Sequence, residues 1–466
     1  MSRLPIAFVL FSSLLPSQVH PGQATPALEL TWKGPAPDGG AGGSRVIAFH
    51  RSLANAALDA DVLHQLQRRF GADGLQVVLV VPTPADGDAV PAALQGIPLG
   101  IDADGANRQR WLGNQLDFYV ALCAADTVRW VGRPAHGMVA AVGAALQGGL
   151  EPATSAEQWR RRLQLLGEFG DGEGARMLQL ARELLQDCPT DGPSWGLCYL
   201  TQVQKLGDAA AAAETVAAAL AALPAEPRAL AAFADLALRG DPLERTLPPR
   251  LVEPLTAAAK AFPADLRVQL TLLRALVRAD DGRRVGILSH QLAAKVRSVP
   301  NAALEFVEIL TQAAVPEIHV DLGSRALETA RNGGADLRSW TAARYQFTLK
   351  CRGDREAARD IAVGYMDQAP GRVTLNNDAW YFMTDLPTCG RFDAFALALV
   401  ERMLEQRSAM EGFEFDTAAL AMYRNGRLDE AVELQQLAIE RGGEAPNYKE
   451  RLARYRAAAG RATAPR

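Results

Sequence analysis

Few residues in this chain stand in an arrangement that does chemistry. Five cysteines, Cys123, Cys188, Cys198, Cys351 and Cys389, are spread over 466 residues, and no two have the Cys-x-x-Cys spacing of a redox or metal site. An odd number cannot all pair internally, so the chain is no disulfide scaffold. Cys188 and Cys198 are close enough to pair across a helix turn in an oxidising compartment, with buried thiols as the alternative. Gly192-Pro193-Ser194-Trp195-Gly196 matches the nucleophile elbow of serine hydrolases, which needs a strand before the serine and a helix after it. Here an inter-helix loop, Cys188 to Asp191, precedes it, and Ser194 reads as a helix N-cap. Asp102-Ala103-Asp104-Gly105 offers two carboxylates, but no further acidic ligands follow at loop spacing, and a turn and cap explain them. The six histidines form no metal-ligand pattern, so neither a metal nor another cofactor is expected. A redox role for Cys123 would need a depressed pKa and access to solvent; at a strand end it reads as a small hydrophobe.

The elements that would position these residues change rhythm along the chain. From Ala27 to Gly149 strand-like runs alternate with helical ones: strands at Arg45 to His50, Leu75 to Val81, Ile97 to Ile101, Phe118 to Leu122 and Val128 to Val131, and helices at Leu58 to Phe70, Ala106 to Leu112 and Met138 to Leu146. Ahead of them Arg3, the apolar run Leu4 to Leu15 and the small residues around Gly22-Gln23-Ala24 read as an export signal over residues 1–24, an uncleaved anchor being the alternative. That run is too short to span a bilayer, and no later stretch is apolar enough. A periplasmic or secreted location follows. The formal charge of -4, from 49 basic and 53 acidic residues, leaves no electrostatic footprint for nucleic acid or an anionic membrane.

Residues 27–149 resemble the thioredoxin superfamily, and specifically exported bacterial redoxins that carry helical repeats behind the redox domain. The resemblance rests on the lead-in Leu30-Thr31-Trp32-Lys33-Gly34, the strand Val46 to Phe49, and the exit Trp130-Val131-Gly132-Arg133-Pro134. It implies a Cys-x-x-Cys directly after the first central strand, where this chain has His50, Arg51, Ser52 and, further on, Asn55. Disulfide exchange needs an activated thiolate and a resolving thiol, and neither stands there. The resemblance also implies a cis-proline facing the cysteines; Asp117 occupies that place, so a trans bond is expected. His50 and Arg51 offer an anion site at the next helix start, with a solvated loop end as the alternative.

Residues 156–459 read as helices broken at Gly172, Gly207, Gly240, Gly282, Pro316, Gly353, Gly390 and Gly426, spaced by 35, 33, 42, 34, 37, 37 and 36 residues. The period is close to the roughly 34 residues of paired-helix repeats. Ala212, Ala358 and Ala431 each lie five residues after a turn glycine, where a small residue lets paired helices approach. Trp195, Trp340 and Trp380 fall in first helices as bulky core residues, Thr246 to Pro254 reads as an insertion, and residues 460–466 as a flexible tail. The unit Asp416 to Glu440 resembles a tetratricopeptide repeat in both helices.

The fold class expected is therefore an α/β thioredoxin-like domain followed by an all-α tetratricopeptide-like solenoid. The function expected is non-enzymatic: a pseudoenzyme domain joined to a protein- or peptide-binding scaffold in the cell envelope. The alternative is a thiol-dependent oxidoreductase or peroxidase using Cys123 or a partner's thiol. The repeat resemblance puts Tyr345, Lys350, Tyr381, Tyr423, Arg424 and Asn425 on or near first helices lining a concave face. There they would bind a peptide, and Lys350 and Arg424 would be surface groups whose loss spares the fold. Packing between neighbouring pairs is the alternative for the three tyrosines.

Overall fold

Alternation within the apolar runs decides the first part of the molecule. The computed structural model describes residues 19–33, 43–50, 52–83, 90–112, 119–124, 127–168, 174–240, 246–368, 371–385, 388, 390–442 and 446–463. Six strands, β1 (Thr31–Lys33), β2 (Arg45–Phe49), β3 (Gln76–Val81), β4 (Leu99–Ile101), β5 (Tyr119–Ala124) and β6 (Thr127–Gly132), form one sheet in the order β1-β4-β3-β2-β5-β6. The pairs β2–β3 and β3–β4 are parallel, while β1, β5 and β6 run antiparallel to their neighbours. Helices α1 (Leu53–Ala57) and α2 (Ala60–Phe70) connect β2 to β3, α3 (Ala106–Leu112) follows β4, and α4 (Met138–Leu146) follows β6.

Both faces of the central strands are covered, which is why their sequences are nearly continuously apolar. Val46, Ala48, Val77, Leu79 and Val81 face one core with Leu63 and Leu66 of α2 and Val142 of α4. Their alternates Ile47, Phe49, Val78 and Val80 face a second core with Trp111 of α3 and Trp159. Trp159 lies on α5 (Pro152–Glu168), a helix beyond the change of rhythm at Gly149 that nevertheless packs on β6. The sheet's second face is thus closed by the first helix of the repeat region.

The rest is helical: α6 (Gly174–Asp187), α7 (Gly192–Leu200), α8 (Ala209–Ala222), α9 (Pro227–Gly240), α10 (Leu247–Ala261), α11 (Leu266–Arg278), α12 (Gly282–Lys295), α13 (Pro300–Leu310), α14 (Val320–Asn332), α15 (Leu337–Lys350), α16 (Arg355–Met366), α17 (Arg372–Thr384), α18 (Asp393–Leu404), α19 (Gly412–Arg424), α20 (Leu428–Gly442) and α21 (Pro446–Thr463). The breaks from Gly207 to Gly426 fall between the helices of pairs α7/α8 through α19/α20; Gly172 lies outside the described residues. Gly207, Gly353, Gly390 and Gly426 adopt positive φ, a conformation that disfavours any side chain. In the later pairs each helix packs on its partner (α13 on α14, α15 on α16, α17 on α18, α19 on α20), and α13 packs on α15 as α17 does on α19. Ala212, Ala358 and Ala431 are buried.

Some expectations need correction. The segment Thr246 to Pro254 is mostly the first part of α10, and the residues from 460, expected as a flexible tail, continue α21 through Thr463. Trp195, Trp340 and Trp380 do lie in first helices but are only half-buried: Trp195 and Trp340 keep their indole N–H on the backbone carbonyls of Pro189 and Leu327, and the Arg451 guanidinium lies over Trp380. The chain divides into two compact units: Met1–Cys198 with Ala213–Phe233 and Pro254–Gln269, and Tyr199–Ala212 with Ala234–Glu253 and Leu270–Arg466.

Candidate functional site

The end of β2, where the resemblance implies a redox loop, lies in the first unit. Its hydrogen bonding starts with His50, whose backbone N donates to Val80 O at 2.9 Å, so the residue leaves β2 still tied to β3. Ser52 O accepts from Ala56 N at 3.0 Å and begins α1. Asn55 is within α1; Arg51 and Asp117 lie outside the described residues. His50 is 3% exposed, and its Nε2 stands 4.0 Å from an Asp59 oxygen. Burial, with Arg267, Arg108 and Arg228 nearby, outweighs Asp59 and brings the imidazole down to about 4.

Asp59 is the centre of an ion network that reaches the repeat helices. Arg228 at the start of α9 donates to Asp59 at 2.6 Å, to Asp265 and to the backbone carbonyl of Leu58. Arg267 stands 3.7 Å from Asp59. Burial works against the Asp59 carboxylate, but Arg228, Arg267 and His50 prevail and hold it below the usual range. The corner is therefore a filled, charge-matched joint between sheet and helices, and it presents no thiol among the described residues.

Other sequence candidates resolve into local structure. Asp102 is buried and accepts from the backbone N of Asn107 at 3.0 Å and of Arg108 at 2.7 Å, while Asp104 accepts from Ala106 N, so both carboxylates organise the start of α3. Ser194 is not the N-cap: Asp191 is, accepting from Ser194 N at 3.0 Å, and Ser194 sits in the first turn of α7. Gly192 belongs to packing, since a Cβ there would stand 1.9 Å from Ala229 O of α9. Asp191 also pairs with Arg162 at 2.6 Å next to His136, whose imidazole burial lowers to about 3. Cys188 lies beside His136 O and Arg162, Cys198 beside Thr215, and no disulfide forms among the described residues; Cys389 is outside them. Cys123 is 4% exposed in the core with Trp111, Val128 and Trp159. No group of three or more metal-ligating residues occurs among the described residues.

Within the second unit the six groove candidates have unlike surroundings. Tyr345 is half-buried against Phe395, ring centroids 5.2 Å apart, and Tyr381 is half-buried with the Arg338 guanidinium 5.0 Å over its ring. Lys350 is exposed at the end of α15. Tyr423 is buried and stacked on Tyr455 at 4.6 Å. Arg424 is buried, paired to Asp393 at 2.7 Å and donating to Arg239 O at 3.3 Å. Asn425 donates to the carbonyls of Asp393 and Ala421. Arg424 is thus a packing residue, which corrects its reading as a dispensable surface group.

The ends of α9, α11, α13 and α19 converge here on a buried network that the sequence reading missed. Arg274 reaches Glu308 at 2.8 Å, Glu305 at 3.2 Å and Asp235 at 3.1 Å; Arg391 pairs with Glu308, and Arg239 with Asp235 and Glu305. A signal existed: Arg274 interrupts the apolar face of α11 among Leu272, Leu273 and Leu276, a place that only a paired charge tolerates.

No family model matches the chain, and no curated protein matches it. Among solved structures, one titled "Crystal Structure of P58(IPK) TPR Domain at 2.5 A" is similar at 11% identity and a TM-score of 0.19, covering 66% of this chain and 100% of that chain. The pairing of the helices stands on the packing above, independently of that likeness.

Proposed function

We propose that the protein is a non-enzymatic protein- or peptide-binding scaffold of the cell envelope, in which a thioredoxin-like domain without redox thiols is joined to tetratricopeptide-like helix pairs. The observation that carries this reading is the joint at His50. Where redox chemistry would need an accessible thiolate pair, the described residues offer a buried imidazole and an Asp59–Arg228–Asp265 network committed to holding α9. The thioredoxin-like part of the reading is supported by the order β3-β2-β5-β6, with β2 parallel to β3 and antiparallel to β5. Partner binding is supported by the succession of helix pairs, an architecture that commonly offers extended surfaces to other proteins. No helix among the described residues is long and apolar enough to cross a membrane.

The rival thiol chemistry is not favoured, because Cys123 points into a core shared with two tryptophans. Insulin reduction decides between the two. The wild-type protein is expected to show no turnover above a Cys123→Ser control, and thiol-dependent turnover lost in that control would move the oxidoreductase reading to first place. The scaffold reading is tested by affinity capture from envelope extract with the whole protein, followed by titration of the purified partner. Failure to find any saturable protein partner would overturn it.

A further inference from the structure

Much of the basic surface of the second unit is neutralised locally. Arg402 pairs with Glu405, Arg407 with Glu433, and Arg427 with Glu401 and Glu430. Two exposed guanidinium groups are set apart by what they lie against instead of a carboxylate. Arg331, next to last in α14, and Arg344, in the second turn of α15, are exposed and face no carboxylate within ion-pair distance among the described residues. Both instead lie against the indole of Trp340, with ring-centroid distances of 5.5 and 5.4 Å.

The indole is held in place. Trp340 Nε1 donates to Leu327 O of α14 at 3.1 Å, which fixes the half-buried ring in the seam between α14 and α15. One helical turn away, at the first position of α15, Leu337 is 71% exposed. Two neighbouring charges are already used: Asp336 caps α15 through Ser339 N, and Arg338 pairs with Asp378 at 3.2 Å. A pinned tryptophan and two guanidinium groups without carboxylate partners among the described residues are residue types that dominate binding energy at protein interfaces, and the exposed Leu337 adds apolar area beside them. The Arg424 end of the helix pairs cannot serve in the same way, since its polar groups are bound to Asp393 and Arg239.

We propose that Arg331, Leu337, Trp340 and Arg344 form a docking surface for an acidic peptide segment of a partner protein, an inference that rests on the scaffold reading. Carboxylates of the segment pair with the two guanidinium groups, and an apolar side chain between them lies on Leu337 and the indole. Charge selects the occupant: the surface offers two cations outside any ion pair among the described residues, beside an apolar contact, and a basic or neutral segment would leave them unpaired.

The test uses the full-length protein and a fluorescein-labelled peptide carrying a leucine flanked by glutamates, compared with the same peptide carrying lysines. Saturable binding of the acidic peptide alone is expected, weakening as salt rises. Arg331→Glu with Arg344→Glu should weaken it roughly tenfold or more, as reversed charges at an interface do, without moving the melting temperature. The milder pair Arg331→Gln and Arg344→Gln serves if charge reversal disturbs folding. Equal affinity of the variants, equal binding of the lysine peptide, or no saturable binding of the acidic one would overturn the proposal. A natural partner still captured by the Arg331/Arg344 variant sinks this surface alone, whereas no partner captured by the wild-type protein sinks the scaffold reading.

Discussion

Two buried ionisable residues show how single side chains are tied to the fold. Arg228 joins Asp59 to Asp265 in near-complete burial, so removing it strands two carboxylates rather than one contact. Arg228→Ala is expected to cost about 3–5 kcal/mol, read as a lowered denaturation midpoint, while a variant that also replaces both aspartates with asparagine should recover part of the loss. A midpoint unchanged in Arg228→Ala would refute the joint. Glu226 is the second case: its Oε1 accepts from Ala140 N in the first turn of α4 at 3.0 Å, and burial raises its carboxyl to about 7 against the Ala140 bond and Arg69. The folded state holds this proton more tightly than the unfolded chain. Its contribution to stability is therefore complete below about pH 4.5 and is lost as pH rises through 7. Glu226→Gln, which keeps the acceptor without the charge, should match the wild type in acid and exceed it by up to about 3 kcal/mol at pH 8. Equal stability at pH 8 would count against the raised carboxyl.

At the scale of elements, glycines of two kinds separate packing from helix propensity. Gly192 in α7 lies against the α9 backbone, and the 1.9 Å approach that a methyl group at this position would make to Ala229 O cannot be relieved by rotating a side chain. Gly192→Ala should cost about 1–3 kcal/mol through displacement of α7 from α9. Gly286 lies within α12 with open space where its Cβ would go, so Gly286→Ala should stabilise by about 0.5–1 kcal/mol. Thermal melts of the two variants should move in opposite directions; an unchanged or raised midpoint in Gly192→Ala would mean that α7 and α9 are not in close contact. The sequence made α2, α3 and α4 legible, with bounds that agree closely, because their apolar spacing, turn glycines and caps are local. It did not reveal that Asp191 rather than Ser194 caps α7, since a hydroxyl and a carboxylate three residues apart are equivalent until the backbone direction is known.

At the scale of the molecule, the segment expected to leave with an export signal takes part in the fold. Val19 is 2% exposed among Ile47, Phe49, Trp111 and Trp159, its N donates to Trp111 O at 3.2 Å, and Gly22 N and Gln23 O bond to Val128 on β6. A cut near Gly22-Gln23-Ala24 would remove a buried valine and uncover the β6 edge, an exposure that favours pairing with other chains. N-terminal sequencing of the mature protein is therefore expected to find a start at or before Val19. A mature chain beginning at Ala24 or Thr25 would mean that this strap is dispensable.

By itself the sequence determined the strand and helix alternation of the first third, the absence of a Cys-x-x-Cys, and the repeating helix pairs, because each depends on composition and spacing over a few dozen residues at most. Only tertiary structure decided that α5 closes the sheet through Trp159, that Arg228 fills the corner beside His50, and that Arg424 faces Asp393 and Arg239. These contacts join residues far apart in the chain, and the worth of a charged side chain depends on what burial brings against it.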